Sequence, residues 1–304
     1  MKFENISVYN FENALRGMRN PKESWDLSDS VFGIKKLDED CGADVALAWA
    51  KSADRSQVGD LVTEKDLAFD YNVWLWRNGI LTENEDLNIG VVAFIGPQDM
   101  KLAQTLIKAG SEHRKFMRQI FVSVDITAPI YWWKEFDTYK VATVANSTST
   151  MHKIMSKPIT LDSFDIDDFN NIPYDKDKQR IDLKNPIDED FVQMCLIPYL
   201  EYLRTSYLEI EEVLKQPDLT SELQDELKDR QYIIWKELIR WLPESWLQTR
   251  TVTMNYENLL GMCSKGQRRF HKLKEWSGEE NSFIQFARHL PYAQELIFID
   301  EIMQ

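Results

Sequence analysis

The chain has 304 residues, 43% hydrophobic and 12% aromatic, with ten Trp, enough to bury a large core and too apolar for a disordered segment. A net charge of -14 repels polyanions on average, which argues against general coating of nucleic acid yet leaves room for a small anion in a local basic pocket. No apolar run reaches the roughly 20 residues of a membrane span. The first twenty residues lack the apolar stretch of a secretory signal. Cys41, Cys195 and Cys263 are odd in number and far apart, as expected in a reducing cytosol without a disulfide framework.

In chain order, residues 11–18 read as a short helix that stops near Pro21, and 42–52 as a second helix. Residues 68–80 fit strand or helix equally by periodicity. The run GVVAFI (90–95) reads as a buried strand ended by Gly96-Pro97, followed by a helix with Leu102, Leu106 and Ile107 on one face and Gly110 just past its end. Residues 119–126 alternate with β-branched side chains and predict a strand. Pro129 suits the start of a helix over 129–140, with Trp132, Phe136 and Tyr139 on one face and Trp133, Asp137 and Lys140 on another. The acidic segment 155–190, densest in Asp over 161–179, predicts a long loop or insertion. A pair of amphipathic helices is expected over 189–241, broken at Gln216-Pro217. Val192, Cys195, Leu196, Tyr199 and Leu203 recur in the first, and Pro198 either kinks or divides it. A short helix from about Asn255, a basic segment and a helix near 280–290 complete the chain. Strands early and helices late predict one α+β domain over 1–304, a mixed sheet under a layer of long helices.

The chemistry-bearing patterns are few. There is no glycine-rich phosphate loop, no Cys-x-x-Cys pair and no zinc helix, and the four His are far apart, so no metal site is expected. The run ANSTSTMHK (145–153) offers hydroxyl and amide donors without charge; it fits an anion nest or a helix N-cap equally well. The aromatic stripe at 132–139 reads as core or as a wall for a flat ring. The run KGQRRFHKLK (265–274) sets Lys265, Arg268, Arg269 and Lys272 on one predicted helical face, either a solvated surface or a phosphate or carboxylate site. Binding of nucleic acid through this run ranks last because of the overall acidity. Cys263, in an apolar stretch, reads as packed rather than nucleophilic.

Two blocks, 106–153 and 242–262, resemble the flavin-dependent thymidylate synthases (thymidylate synthase complementing proteins). The first looks like that family's helix, strand, Ala-Pro-initiated helix and signature turn. Thr138, Tyr139 and Lys140 stand at the signature's Arg-His-Arg positions and Thr143 at its Ser. Asn146 matches its Asn, Ser147 stands for the Glu, Ser149 matches the later Ser and Met151 replaces the Arg. In the second block Asn255 matches a flavin-contacting Asn, while Glu257 replaces an Arg. The resemblance implies a family-like α+β fold and a homo-oligomer, a tetramer in the family. It also implies FAD, a pyrimidine nucleotide such as dUMP, and methylenetetrahydrofolate as methyl donor in cytoplasmic nucleotide biosynthesis.

On that basis Asn146, Ser147, Ser149, His152, Arg268, Arg269 and Lys272 are expected to hold the nucleotide. Thr138, Tyr139, Lys140, Thr143 and Asn255 are expected to contact the flavin, and no catalytic residue is assigned. The leading expectation is a divergent thymidylate-synthase-like methyltransferase. The other is a catalytically inactive relative that binds nucleotide or serves in an oligomeric assembly.

Overall fold

A computed structural model describes residues 1–36, 89–166 and 195–302. The expected helix at 42–52, the ambiguous segment 68–80, Cys41, Val192 and most of the acidic stretch lie outside the described residues. The elements in order are strand β1 (Lys2–Tyr9), helix α1 (Phe11–Arg19), strands β2 (Val31–Lys36) and β3 (Ile89–Phe94), and helix α2 (Pro97–Lys108). Then come β4 (Phe121–Pro129), α3 (Ile130–Phe136), β5 (Val144–Ser147), α4 (Thr150–Lys153), and the long helices α5 (Ile197–Leu214) and α6 (Ser221–Arg240). Strand β6 (Leu247–Asn255) leads into α7 (Tyr256–Met262), α8 (Lys274–Ser277), α9 (Phe283–Arg288), α10 (Ala293–Leu296) and α11 (Ile299–Ile302).

The fold class is α+β, with a four-stranded sheet in the order β1-β4-β6-β5 and an antiparallel β2-β3 pair in which Val31 faces Phe94 and Lys36 faces Ile89. Contacts divide the chain into two compact units, Met1–Ile126 with Tyr139–Ala145 and Thr251–Gln304, and Thr127–Thr138 with Asn146–Arg250.

Strand β4 alternates as its sequence predicts, with Val122, Val124, Ile126 and Ala128 at 0% exposure and the residues between them half-buried. Hydrogen bonds join Ser123 to Thr253 and Asp125 to Thr251 in the first unit, and Thr127 to Thr249 in the second. As the β4 position rises by two the β6 position falls by two, so the strands are antiparallel. The LQTRTVTMN strand was not anticipated, although its alternating Thr, Val, Thr and Met carry the period-2 pattern. Expecting all strands early was therefore wrong: β6 lies beside β4 in the middle of the sheet.

In the first unit, α1 packs Phe11, Leu15 and Met18 inward, with Phe11 edge-on to the fully buried Tyr256. Helix α2 begins at Pro97 and ends at Lys108, with Ala109 as its C-cap and Gly110 in the left-handed region at φ 107°, as expected of a residue just past a helix end. Asp29 accepts from the backbone N–H groups of Gln98 and Asp99 and so caps α2 from a distant segment. Asp99, fully buried, accepts from Arg19 Nε at 2.6 Å and from the hydroxyls of Ser28 and Ser30, both at 2.5 Å. A charge so placed depends above all on Arg19, because removing that partner leaves an uncompensated buried carboxylate.

In the second unit the helix after Pro129 ends at Phe136, short of the expected 140. Trp132, Trp133 and Phe136 are all buried, so the aromatic stripe is core and its two predicted faces merge; Tyr139 lies beyond the helix. Helix α5 starts at Ile197, which puts Pro198 in its first turn, where no N–H partner is lost. The predicted stripe is displaced: Leu200 and Leu203 are buried, whereas Cys195 and Tyr199 are exposed. Leu238 of α6 joins them, together with Ile154, Ile159 and Phe164.

Gly96 shows the tightest approach among the described glycines. A Cβ there would stand 2.2 Å from the Asp29 carboxyl carbon and 2.3 Å from its backbone oxygen. Gly96→Ala is therefore expected to displace the α2 cap and cost about 1–3 kcal/mol, as overpacking does, read as a lower urea midpoint at unchanged slope. An unchanged midpoint would show that Asp29 does not sit against this glycine.

Candidate functional site

The segment from Tyr139 to Ala145 belongs to the first unit, together with α7 and the basic run. Its turn requires a left-handed backbone at Ala142, φ 57°. Asn258 Nδ2 donates to the Val141 carbonyl at 2.9 Å, and the Thr143 hydroxyl donates to the Tyr139 carbonyl. Asn258 comes from a reciprocal cap: its N–H donates to Asn255 Oδ1 at 2.9 Å, while Asn255 N–H donates to Asn258 Oδ1 at 3.2 Å. Asn255 is 2% exposed, so the side chain expected to meet a flavin serves as a buried helix cap.

The basic run does not form the predicted helix. Residues 264–271 make successive turns, with Gln267 N–H donating to Ser264 O and His271 N–H to Arg268 O. The reason is visible in neighbouring side chains: Arg269 points inward, 5% exposed, and Phe270 points outward, 73% exposed. Arg269 donates to the Cys263 carbonyl at 2.7 Å and, in a two-pronged pair, to Asp300 at 2.8 and 2.9 Å, with Glu301 at 3.2 Å. A guanidinium so engaged stabilises the end of the chain.

Arg268 has a different setting. Its Nε donates to the Tyr139 hydroxyl at 2.9 Å, and its guanidinium carbon lies 4.8 Å from the centre of the buried Trp276 ring and 5.5 Å from that of Tyr139. Tyr139 and Trp276 meet edge to face at 6.3 Å, and His271 stands 6.4 Å from Trp276. A planar cation set against two aromatic rings is a stacking platform of fixed orientation. Lys140 and Lys272 are exposed. Trp276 was not singled out from the sequence, because a lone Trp between Glu275 and Ser277 carries no periodic signal.

Glu257, at a position where the resemblance implies Arg, accepts from Arg114 Nε at 3.0 Å and from Arg118. Burial pushes its carboxyl up, but the bonds to Arg118 and Arg114 outweigh it and hold the group below the ordinary carboxylate range. Cys263 is fully buried, and burial pushes its thiol up to about 12, in keeping with a packed, unreactive sulfur.

The other predicted residues belong to the second unit. Thr138 donates its hydroxyl to the Glu135 carbonyl and closes the end of α3. Asn146 and Ser147 are exposed on β5. Thr148 N–H donates to the Thr249 carbonyl at 2.9 Å. Ser149 is the N-cap of α4: its oxygen accepts from His152 N–H at 3.3 Å and lies 2.6 Å from His152 Nδ1. The helix N-cap expected of this run is present at Ser149. Beside it Arg250 stacks over Trp133 at 4.2 Å and donates to Asp137 and Gln248, so it is held among its own neighbours.

Thus Thr143 and Arg268 bond Tyr139 directly and Asn255 reaches the same turn through Asn258 and Val141, all in one unit, whereas Thr138, Asn146, Ser147, Ser149 and His152 belong to the other. The pyrophosphate of a flavin needs cations or unclaimed donors from the five side chains assigned to it. Thr138, Tyr139, Thr143 and Asn255 bond within the protein, which leaves Lys140 as the cation they offer; this set does not fit FAD. Among the described residues no three His, Cys, Asp or Glu gather as metal ligands, and no helix is long and apolar enough to cross a membrane.

No protein-family model and no curated protein sequence matches the chain. Among solved structures it is similar to a UMP/dUMP methylase, PolB, from Streptomyces cacaoi bound with 5-Br UMP, at 13% identity over 67% of this chain and 83% of that one, with a TM-score of 0.37. It is also similar to the flavin-dependent thymidylate synthase ThyX from Helicobacter pylori complexed with FAD and dUMP, at 13% identity over 89% and 98% of the two chains, TM-score 0.40. A second structure of ThyX with FAD and dUMP gives 12%, 91% and 100%, TM-score 0.39. Likeness at this level leaves function to be argued from this chain's own residues.

The acid cluster around Arg269 has a measurable signature. The Arg288 bond to Glu301, at 2.7 and 2.9 Å, holds the Glu301 carboxyl down at about 2, against an ordinary 4.5. A carboxylate depressed in the folded state stabilises the fold above its ordinary pKa and loses that contribution as pH falls towards the folded value. Stability should therefore decline between about pH 4.5 and 2 with a slope that Glu301→Gln flattens, the variant being less stable than wild type at pH 7. Urea midpoints across that range measure both; parallel slopes would remove Glu301 from the account.

Proposed function

We propose that this chain binds a pyrimidine deoxynucleotide of the dUMP type, with Arg268 and Tyr139 receiving the base and sugar-phosphate, the buried Trp276 backing Arg268 from the core, and Lys272 adding positive charge. What carries the reading is that the two resembling blocks meet: Asn258 holds Val141, and the basic run reaches back through Arg268 to Tyr139. A flat base finds the partly exposed Tyr139 ring and the Arg268 guanidinium plane there, and a phosphate finds cations on a chain of net charge -14. The protein's own work in this reading is orientation: Tyr139 fixes Arg268 through its hydroxyl, and the Asn255–Asn258 cap fixes the turn that carries Tyr139.

The inactive-relative reading is favoured over methyl transfer with FAD and methylenetetrahydrofolate. Its specific support is that Asn255 is occupied as a cap and that the signature positions 138–140 offer one exposed cation. Asn146, Ser149 and His152 remain proposed nucleotide contacts of the second unit on the resemblance alone.

Calorimetric titration of the purified chain with dUMP tests the reading. Wild type should bind, and Arg268→Ala should weaken affinity by roughly 10- to 100-fold, the value of one or two hydrogen bonds to a charged group. Lys272→Ala is expected to cost a few-fold. Absence of binding at millimolar dUMP, or binding indifferent to Arg268→Ala, would dismiss the site. A yellow purified protein that releases the C5 proton of dUMP would restore the enzymatic alternative.

A further inference from the structure

The helix pair of the second unit buries little of itself: across α5 and α6, only Leu200, Leu203 and Leu238 are buried. On α6 the residues Glu226, Arg230, Ile233, Glu237 and Arg240 follow one another at steps of four, three, four and three, so they form a single stripe along the helix. Ile233 is 64% exposed at the centre of it. Glu237 bonds the Trp241 indole at 2.7 Å and the Tyr199 hydroxyl, which places Tyr199, and Tyr202 three residues on, beside the same stripe. Tyr202 is 65%, Trp241 56% and Tyr199 41% exposed.

The order of charge along the stripe is negative, positive, apolar, negative, positive. Turned end for end, it becomes its own complement: Glu226 meets Arg240, Arg230 meets Glu237, and Ile233 meets Ile233 on the two-fold axis. Side by side in the same direction, every charge would meet its like. A partner of unrelated sequence has no reason to match this order, whereas a second copy matches it at every step. Among the described residues Arg230 makes no ion pair and Arg240 pairs with Glu237 at 3.4 Å, an exposed contact that exchanges readily.

We propose that this face is the contact of a two-fold homodimer in which α6 packs antiparallel on α6 of a second copy, centred on Ile233 and flanked by Tyr202 and Trp241. The area is in proportion. With aromatic side chains burying about 150–250 Å² each, the four apolar residues supply on the order of 400–500 Å². That exceeds half of the roughly 800 Å² per partner of a standard interface, and the aliphatic stems of the paired charges extend it. The proposal is independent of the nucleotide site, so its failure leaves the dUMP measurements as they are.

Sedimentation equilibrium of the full chain provides the test. Wild type should dimerise at micromolar concentration, and Ile233→Asp should be monomeric with an unchanged helical circular dichroism signal. Glu226→Arg alone and Arg240→Glu alone should each weaken the dimer by about tenfold, and the double variant should regain wild-type affinity to within about threefold, since swapped signs remain complementary. A monomeric wild type would overturn the proposal. So would a dimer indifferent to Ile233→Asp, or a double variant no better than the singles.

Discussion

The pairing of β4 with β6 decides where every candidate side chain goes. The register of the hydroxyl pairs continues at both ends of the strands. In the first unit Tyr256 N–H donates to the Ile120 carbonyl at 3.0 Å, and in the second Ile130 N–H donates to the Trp246 carbonyl at 3.1 Å. A shift of one residue would turn Val122, Val124 and Ile126 outward and bury Asp125, which the apolar face forbids. With the register fixed, α7 and its Asn255 cap must follow directly from the end of β6, and the Trp-rich helix directly from the end of β4.

Much of this was legible before the structure, and the failures have definite physical causes. Strand β4, helix α2 with Gly110 and the long helices were readable because a single buried face imposes period 2 or 3.6 on the sequence. Strand β6 was overlooked because its Thr side chains bond across to β4, and a hydroxyl that finds a partner in a sheet looks polar on paper. The basic run misled for the opposite reason. Spacing alone assigns Arg268 and Arg269 to one surface, but Arg269 meets carboxylates thirty residues away in sequence, and a buried two-pronged ion pair overrides helical order.

The same tension governs the candidate residues. Asn, Ser and Thr are prized by ligand sites and by helix ends alike, since both need an oxygen or amide of short reach. At Asn255, Thr138 and Ser149 the backbone claims the group. What remains for a ligand is set by side chains the backbone cannot use, a guanidinium and aromatic rings, and these are the parts that gather around Arg268.

Arg269 gives this a wider meaning. Its guanidinium links the turn carrying Arg268 to Asp300 and Glu301, which sit in the final helical turn of the described chain. Those two carboxylates therefore act at a distance, as counterweights that keep one arginine inside so that its neighbour is presented outward. A change at the tail that adds bulk or removes acid would be felt first as a loosened turn at 264–271, well before it disturbed the sheet.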